Sequence, residues 1–587
     1  MTVETIERYS EGSWWPNDHR VSQRFPLMCR GNTGEVYPNV VSPLTGSIVG
    51  VPFALGQRRC AIETGLATHR QMADFDGLTT AMAANIAGYL FVNVSLARSA
   101  TARTPGLTVD MVDHQMFGLS GAPAHVRGRG DRSLLAAMRA MKGIGAGVLR
   151  PDSRRLASGQ SLVDEFIAAA PPIEQATNAE LAAVPVAATS LLERMMRDLL
   201  TASVFAGVGR SMVERLVVQH GGDGLVNTLT AGLGTIESAA PPADLWRLGR
   251  LVAESCTLSA MFDAGLPDLG TRIADSSDDD VARFVPGFEQ FRDRHGARGP
   301  DEWELASPTW GSDPSIALAA IDRLRHAPAD RDPLVVGKRL AAEREQRFRE
   351  IRSQLGWSKR RPFDLGVRAA AHYQAQREAT KAATVRLLDP IRRALAELAR
   401  RSEFTHDDFF LLTIDQLPGA LEHPDTYAEI VAERRDRRDY LQARVPPFWF
   451  QGDIPHPSTW QLRSDLRRPD TSQREIQGLG VCSGVATGAA RVVTDPADPR
   501  HLQPGDILIA PITDPAWTPL FLAVAGVVVD VGAHMSHAAI VARELGIPAV
   551  VSATGASLTI PDGTLVTVDG SSGTVTVHGV DGLDISS

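Results

Sequence analysis

The chain has 587 residues, enough for two to four domains and a substantial core. Hydrophobic residues make up 43% and charged residues 22%, as in ordinary globular proteins; a formal net charge of −9 with no concentrated basic stripe argues against a general nucleic-acid binder. No apolar run reaches membrane-spanning length, the N-terminus has no signal-peptide pattern, and Cys29, Cys60, Cys256 and Cys482 contain no Cys-x-x-Cys pair, so no membrane contact, no zinc ribbon and a reducing, cytoplasmic location are expected.

Residues 1–67 are expected to be an irregular segment packed on the domain that follows, because Trp14-Trp15-Pro16 and Pro26, Pro38, Pro43 and Pro52 leave little room for helical periods. Within it, Arg30–Thr45 taken alone is a polar surface connection. Residues 68–445 form a mainly helical domain, with apolar recurrence at three and four residues in Leu134–Met141, Leu191–Leu200 and Ala240–Met261. Glycine-rich breaks at Gly143–Gly147 and Gly221–Gly224 are expected to separate helices, Asp275–Asp280 to be an exposed acidic connection, and Met195 and Met196 to fill core space. The basic clusters Lys359–Arg361 and Arg434–Arg438 read as solvated helix surface. His295–Trp310, with helix breakers among charges, reads alone as an exposed loop. Arg377 and Lys381 stand four apart and so share one helix face; two cations there repel unless an anion lies opposite, and a phosphoryl group in transfer or glutamates of neighbouring helices serve equally. Residues 446–476 are proline-dense and read as a semi-rigid connector. Residues 477–580 change to short, glycine-punctuated apolar runs, with a hairpin signal in Thr564–Gly570 and Gly573–His578.

Inside this last module, Ala525–Asp530 reads as a buried strand, Gly532 as a turn, and Ser536 as the opening of a helix that ends at Gly546 with Pro548 beyond. His537 therefore falls in the first turn of a helix, where unpaired N–H groups and the positive end of the dipole favour phosphate. A histidine there can attack phosphorus through a neutral ring nitrogen. Arg543 lies about 240° around the helix from His537, so a structural ion pair with a neighbouring loop is expected of it rather than phosphate contact.

Gly532-Ala-His-Met-Ser-His-Ala-Ala539, then Ala542-Arg-Glu544 and Gly546-Ile-Pro-Ala-Val550, resemble the swivelling phosphohistidine domain of the phosphoenolpyruvate synthase and pyruvate phosphate dikinase superfamily. The likeness extends upstream through Gly505–Pro511 and Thr513–Phe521. Ala533 departs from it, since a second glycine is usual there; a left-handed conformation at Ala533 would strain the turn. Met535 is nearer to the antibiotic phosphotransferases than to the dikinases. In the body, Arg30–Thr45, His295–Trp310 and Arg377-Glu-Ala-Thr-Lys381 are similar to elements of rifampicin-phosphotransferase-like proteins.

The resemblance implies a helical acceptor-binding domain joined to a C-terminal β/β/α phosphohistidine domain. His537 would be the nucleophile and carrier, Ser536 the cap of its helix, Arg298, Arg377 and Lys381 the neutralising cations, and Glu302 a base for the acceptor hydroxyl. The sequence contains no Gly-x-x-x-x-Gly-Lys-[Ser/Thr] loop and no ATP-grasp-like stretch, and no pyruvate-binding barrel is expected. ATP and Mg²⁺ are therefore expected mainly on a separate ATP-grasp subunit, a layout similar to phenylphosphate synthase, with a small hydroxyl compound as acceptor. Two other readings stay open: a ligase that activates one substrate by transient phosphorylation, and a non-catalytic phosphocarrier.

Overall fold

In the computed structural model, the residues described are 14–31, 33–72, 82–104, 108–117, 121, 123–126, 134–149, 153–217, 222–233, 237, 240–328, 331–466, 474–496, 502–513, 517–534 and 536–580. A mainly helical body is followed by a C-terminal module built on a sheet.

Two long helices, Asn178–Val217 and Trp357–Arg401, form the spine of the body. They touch backbone to backbone: a Cβ on Gly209 would meet Ala370 N at 2.5 Å and Gly366 O at 2.9 Å. Met195 and Met196 are buried in the core beside them. The glycines of 143–147 do not break a helix. They lie within Leu134–Leu149, where a Cβ on Gly143 would meet Thr64 O at 2.5 Å and one on Gly147 the Phe205 ring, so these two serve close approach, while a Cβ on Gly145 would meet open space. Gly221 lies outside the described residues, and a helix is already under way at Gly222. The acidic connection is shorter than expected: Asp278 caps the helix Asp279–His295 through Asp280 N–H, so Asp279 and Asp280 belong to its first turn.

The N-terminal segment is more regular than its composition suggests. Val51–Glu63 is a helix lying against the spine, with Gly56 at contact distance from the Glu193 carbonyl. Leu27–Cys29 belongs to a four-stranded antiparallel sheet ordered Ala83–Ile86, Tyr89–Asn93, Leu27–Cys29, Trp449–Gln451. Ala87 and Gly88 both adopt positive φ, as a two-residue hairpin turn requires. The fourth strand comes from the proline-dense connector, and Trp460 beyond it is buried against Tyr89. Up to residue 466 this connector is thus built onto the body; its Arg467-Arg468 portion lies outside the described residues. Arg434 also departs from its expected solvated position. It is fully buried and donates to the Leu411 carbonyl and to Gln416 Oε1.

The C-terminal sheet has eight strands in the order Glu475–Gln477, Thr574–Val580, Thr564–Asp569, Val485–Val492, Ile507–Ala510, Gly526–Val529, Ala549–Val551, Leu479–Cys482. The hairpin expected at its C-terminal end is present, with Asp569 opposite Thr574. The strands from Val485–Val492 to Ala549–Val551 run parallel, and Ile507–Ala510 and Val527–Val529 are wholly buried, as strands covered on both faces must be. The helix Thr518–Ala523 of this module lies against Pro314–Arg325 and Ala240–Glu254 of the body, and Leu245, Leu324, Leu520, Phe521 and Leu545 share one apolar core. Among the described residues, no helix is long and apolar enough to cross a membrane.

Candidate functional site around His537

The local geometry around His537 follows from the strand-turn-helix sequence. Gly526–Val529 ends in a turn at Gly532, where a Cβ would come within 2.9 Å of Val551 Cβ, so only glycine fits. Ala533 is not among the residues with positive φ, so the missing second glycine leaves no strain. Ser536 is extended (φ −67°, ψ 162°) and its hydroxyl accepts from Ala539 N–H at 3.2 Å, which caps the helix His537–Leu545. Gly546 closes that helix in the left-handed region at φ 62°. Met535 lies outside the described residues. Arg543 points away from His537; its guanidinium donates to the Ala539 and His534 carbonyls, so backbone oxygens take the place of the expected carboxylate.

His537 is half-buried at the boundary with the body, and its Nε2 lies 3.2 Å from Thr518 Oγ1. Burial, and then the nearby charges of Lys381, Arg298 and Arg377, hold its pKa well below the ordinary imidazole value. The ring is therefore neutral at pH 7, as an attacking nitrogen must be.

The cations come from two places. Arg377 and Lys381 project from one face of the helix Trp357–Arg401. Arg298 lies in the turn-rich stretch after the helix Asp279–His295, and this stretch is folded inward: Arg298, Glu302, Trp303, Leu305 and Trp310 are all buried. Its shape is fixed by Trp310 N–H donating to the Arg298 carbonyl at 2.8 Å and by Gly299, where a Cβ would meet Pro308 O at 2.7 Å. Arg392 holds it from beneath, donating to the Glu302 carbonyl at 2.9 Å. The anion opposite the cation pair is in part this loop's own: Lys381 Nζ is 3.1 Å from Glu302 Oε1, while Arg377 Nη1 lies 3.3 Å from Glu378 Oε1. The glutamates opposite the pair come from this loop and from the cations' own helix rather than from neighbouring helices, and His537 lies close enough for the same cations to bear on its charge.

Two contributors carried no assigned role in the sequence reading. Glu35 Oε2 accepts from the backbone N–H of His537 at 3.1 Å, across the boundary between body and module. Thr518 is the second. Each stands in a stretch singled out for its resemblance, Arg30–Thr45 and Thr513–Phe521, but a contact spanning about five hundred residues has no local signal. Burial raises the Glu35 carboxyl to about 7, against the lowering effect of the His537 N–H and of Arg377 and Lys381. Glu544, at the other end of the carrier helix, is likewise raised to about 7, first by burial.

These shifts predict how docking depends on pH. A carboxyl raised on docking binds its proton more tightly docked than free, so docking is favoured in the acid range and weakens as pH rises through about 7. His537 has the opposite sign: protonation of the free ring opposes docking below its ordinary value of 6.5. Small-angle scattering across pH 5 to 9 should show docking lost on the alkaline side, with Glu35→Gln moving that loss to higher pH.

A cavity of about 940 Å³ opens on the outer side of the 296–311 stretch, lined by Arg292, Arg294, Thr309, Arg386 and Arg393. A smaller one of about 90 Å³ shares Arg294, Ala297 and Arg386 with it and reaches Arg298. Among the described residues no group of three His, Cys, Asp or Glu side chains is placed to hold a metal ion. The donor set around His537, two carboxylates beside three cations, does not fit Mg²⁺, and no step below passes through it.

The family profile described as rifampicin phosphotransferase fourth domain matches residues 190–378, and that of the PEP-utilising enzyme mobile domain matches residues 502–573. The chain is 28% identical over 370 residues to the prodigiosin synthesizing transferase PigC of Serratia marcescens, covering 61% of this chain and 40% of that protein. It is 30% identical over 330 residues to a rifampicin phosphotransferase of Streptomyces sviceus, covering 51% and 36%. It is 27% identical over 353 residues to the uncharacterized phosphotransferase YvkC of Bacillus subtilis, covering 57% and 41%. The matched part is thus about two fifths of the length of each relative. The helical body carries one of the two family profiles and the sheet module with its capped histidine carries the other, and the chain is a member of the PEP-utilising enzyme superfamily.

Proposed function

We propose that this chain is the acceptor-binding and phosphocarrier part of an ATP-dependent, dikinase-type phosphotransferase. The observation that carries this reading is the placement of His537, first residue of its capped helix, at the boundary with the body, where Glu35 accepts from its N–H and Arg298, Arg377 and Lys381 lie close enough to bear on its charge. A separate ATP-grasp subunit, where ATP and Mg²⁺ belong, loads His537. The module at about 477–580 then docks on the body at about 68–445, and the phosphoryl group passes to a hydroxyl of a small organic acceptor entering from the cavity that ends at Arg298. Phosphoryl transfer needs in-line placement and charge neutralisation more than covalent help. In this arrangement Arg298, Arg377 and Lys381 balance the equatorial oxygens, and Ser536 keeps the first turn of the helix fixed. The hydroxyl proton goes to a site carboxylate, for which Glu302 and Glu35 are the two candidates. Incubation with the ATP-grasp partner, labelled ATP and a panel of hydroxyl compounds tests the scheme. A phosphorylated acceptor with AMP is expected, and loading of His537 by ATP without any partner would refute the two-subunit version.

The similarity to a prodigiosin synthesizing transferase supports a second reading, in which transfer only activates the acceptor for condensation. In that case all transferred phosphate ends as orthophosphate and a new bond joins two substrates.

A further inference from the structure

Resting on the carrier role of His537, we propose that Glu35, rather than Glu302, takes the proton of the acceptor hydroxyl. The two carboxylates differ in what already holds them. Glu302 Oε1 is 3.1 Å from Lys381 Nζ, so its charge faces an ion-pair partner; both of its oxygens are buried without a hydrogen-bond partner among the described residues, and no hydrogen bond there ties it to His537. Glu35 forms no ion pair among the described residues. Its Oε2 is fixed by the His537 N–H at 3.1 Å, and its Oε1 is buried with no hydrogen-bond partner among them. One oxygen thus positions the carboxylate against the backbone of the reacting residue and the other is left to accept. The turn that carries it is pressed onto the carrier module: a Cβ on Gly34 would meet Ile512 Cδ1 at 3.3 Å. The groups facing it are His537 and Ser536 of the module and Arg377 and Lys381 of the body.

In the step, the acceptor oxygen bonds to phosphorus as the P–N bond to His537 breaks. The electron pair of that bond returns to the ring nitrogen. With the second ring nitrogen protonated, histidine leaves neutral, and the hydroxyl proton ends on Glu35. A base whose docked value lies near 7 is about half ionised at neutral pH and basic enough to accept.

The test loads the whole protein chemically with phosphoramidate and follows loss of phosphohistidine to two probe acceptors, water and glycerol, by ³¹P NMR. Glu35→Gln keeps an oxygen for the His537 N–H, so docking is retained and scattering checks this. Transfer is expected to fall about 10²-fold, with loss of the acid limb of the pH profile; Glu35→Asp should restore the limb and part of the rate. Glu302→Gln should leave the limb in place. Wild-type rate and limb in Glu35→Gln, or loss of both in Glu302→Gln instead, overturns the assignment. Absence of phosphohistidine in the loaded wild type overturns the carrier role itself, and with it this inference.

Discussion

His537→Ala is expected to leave a folded protein with no measurable phosphoryl transfer. The ring is half-buried at the boundary between module and body, and among the described residues its side-chain hydrogen bond is to Thr518 Oγ1. Its loss therefore removes little packing, and the helix keeps its Ser536 cap. On the proposed mechanism, what is removed is the atom that forms the covalent intermediate, and neither hydroxyl beside it replaces it. Ser536 is buried and its hydroxyl is engaged with Ala539 N–H, while Thr518 is buried on a different helix. Circular dichroism and thermal unfolding should match the wild type, and single-turnover assays should show no product. A residual rate within tenfold of the wild type would mean that phosphoryl transfer bypasses the ring.

Lys381→Met should affect both stability and transfer, and a double substitution should separate them. Glu302 is buried, and Lys381 is its ion-pair partner. Removing that ammonium leaves an uncompensated buried carboxylate, which typically costs about 3–5 kcal/mol. On the proposed mechanism it also removes one of the cations that balance charge in the transition state, worth about 10²–10³ in rate. Glu302→Gln in the same chain cancels most of the stability loss, because no charge is then left stranded. Transfer should stay low in the double variant. Denaturant titration and single-turnover kinetics on the two variants measure the two effects independently; recovery of rate together with stability would show that Lys381 serves only the fold.

The carrier module was legible in the sequence because its signals are local. A buried strand, Gly532, Ser536 as cap and Gly546 as stop occupy about twenty consecutive residues, and each has one structural meaning there. The pair Arg377 and Lys381 was singled out by the resemblance, and helix spacing placed both on one face. Glycine misled elsewhere. At 143 and 147 its role is close approach between Leu134–Leu149 and its neighbours, which sequence cannot distinguish from a break. Strand pairing of Trp449–Gln451 with Leu27–Cys29 joins segments more than four hundred residues apart, and proline density nearby hid it. Arg434 sits among four charged neighbours yet is the one turned inward, a choice made by the Leu411 carbonyl and Gln416 rather than by its own helix. The contact of Glu35 with His537 is of the same non-local kind.

Mapping the phosphorylated residue decides the account most directly. The protein loaded by its ATP-grasp partner with labelled ATP, digested under alkaline conditions and read by mass spectrometry, should carry a base-stable, acid-labile phosphate on the peptide containing His537. Label on a serine or an acidic residue, or product formed while that peptide stays unmodified throughout turnover, would contradict it.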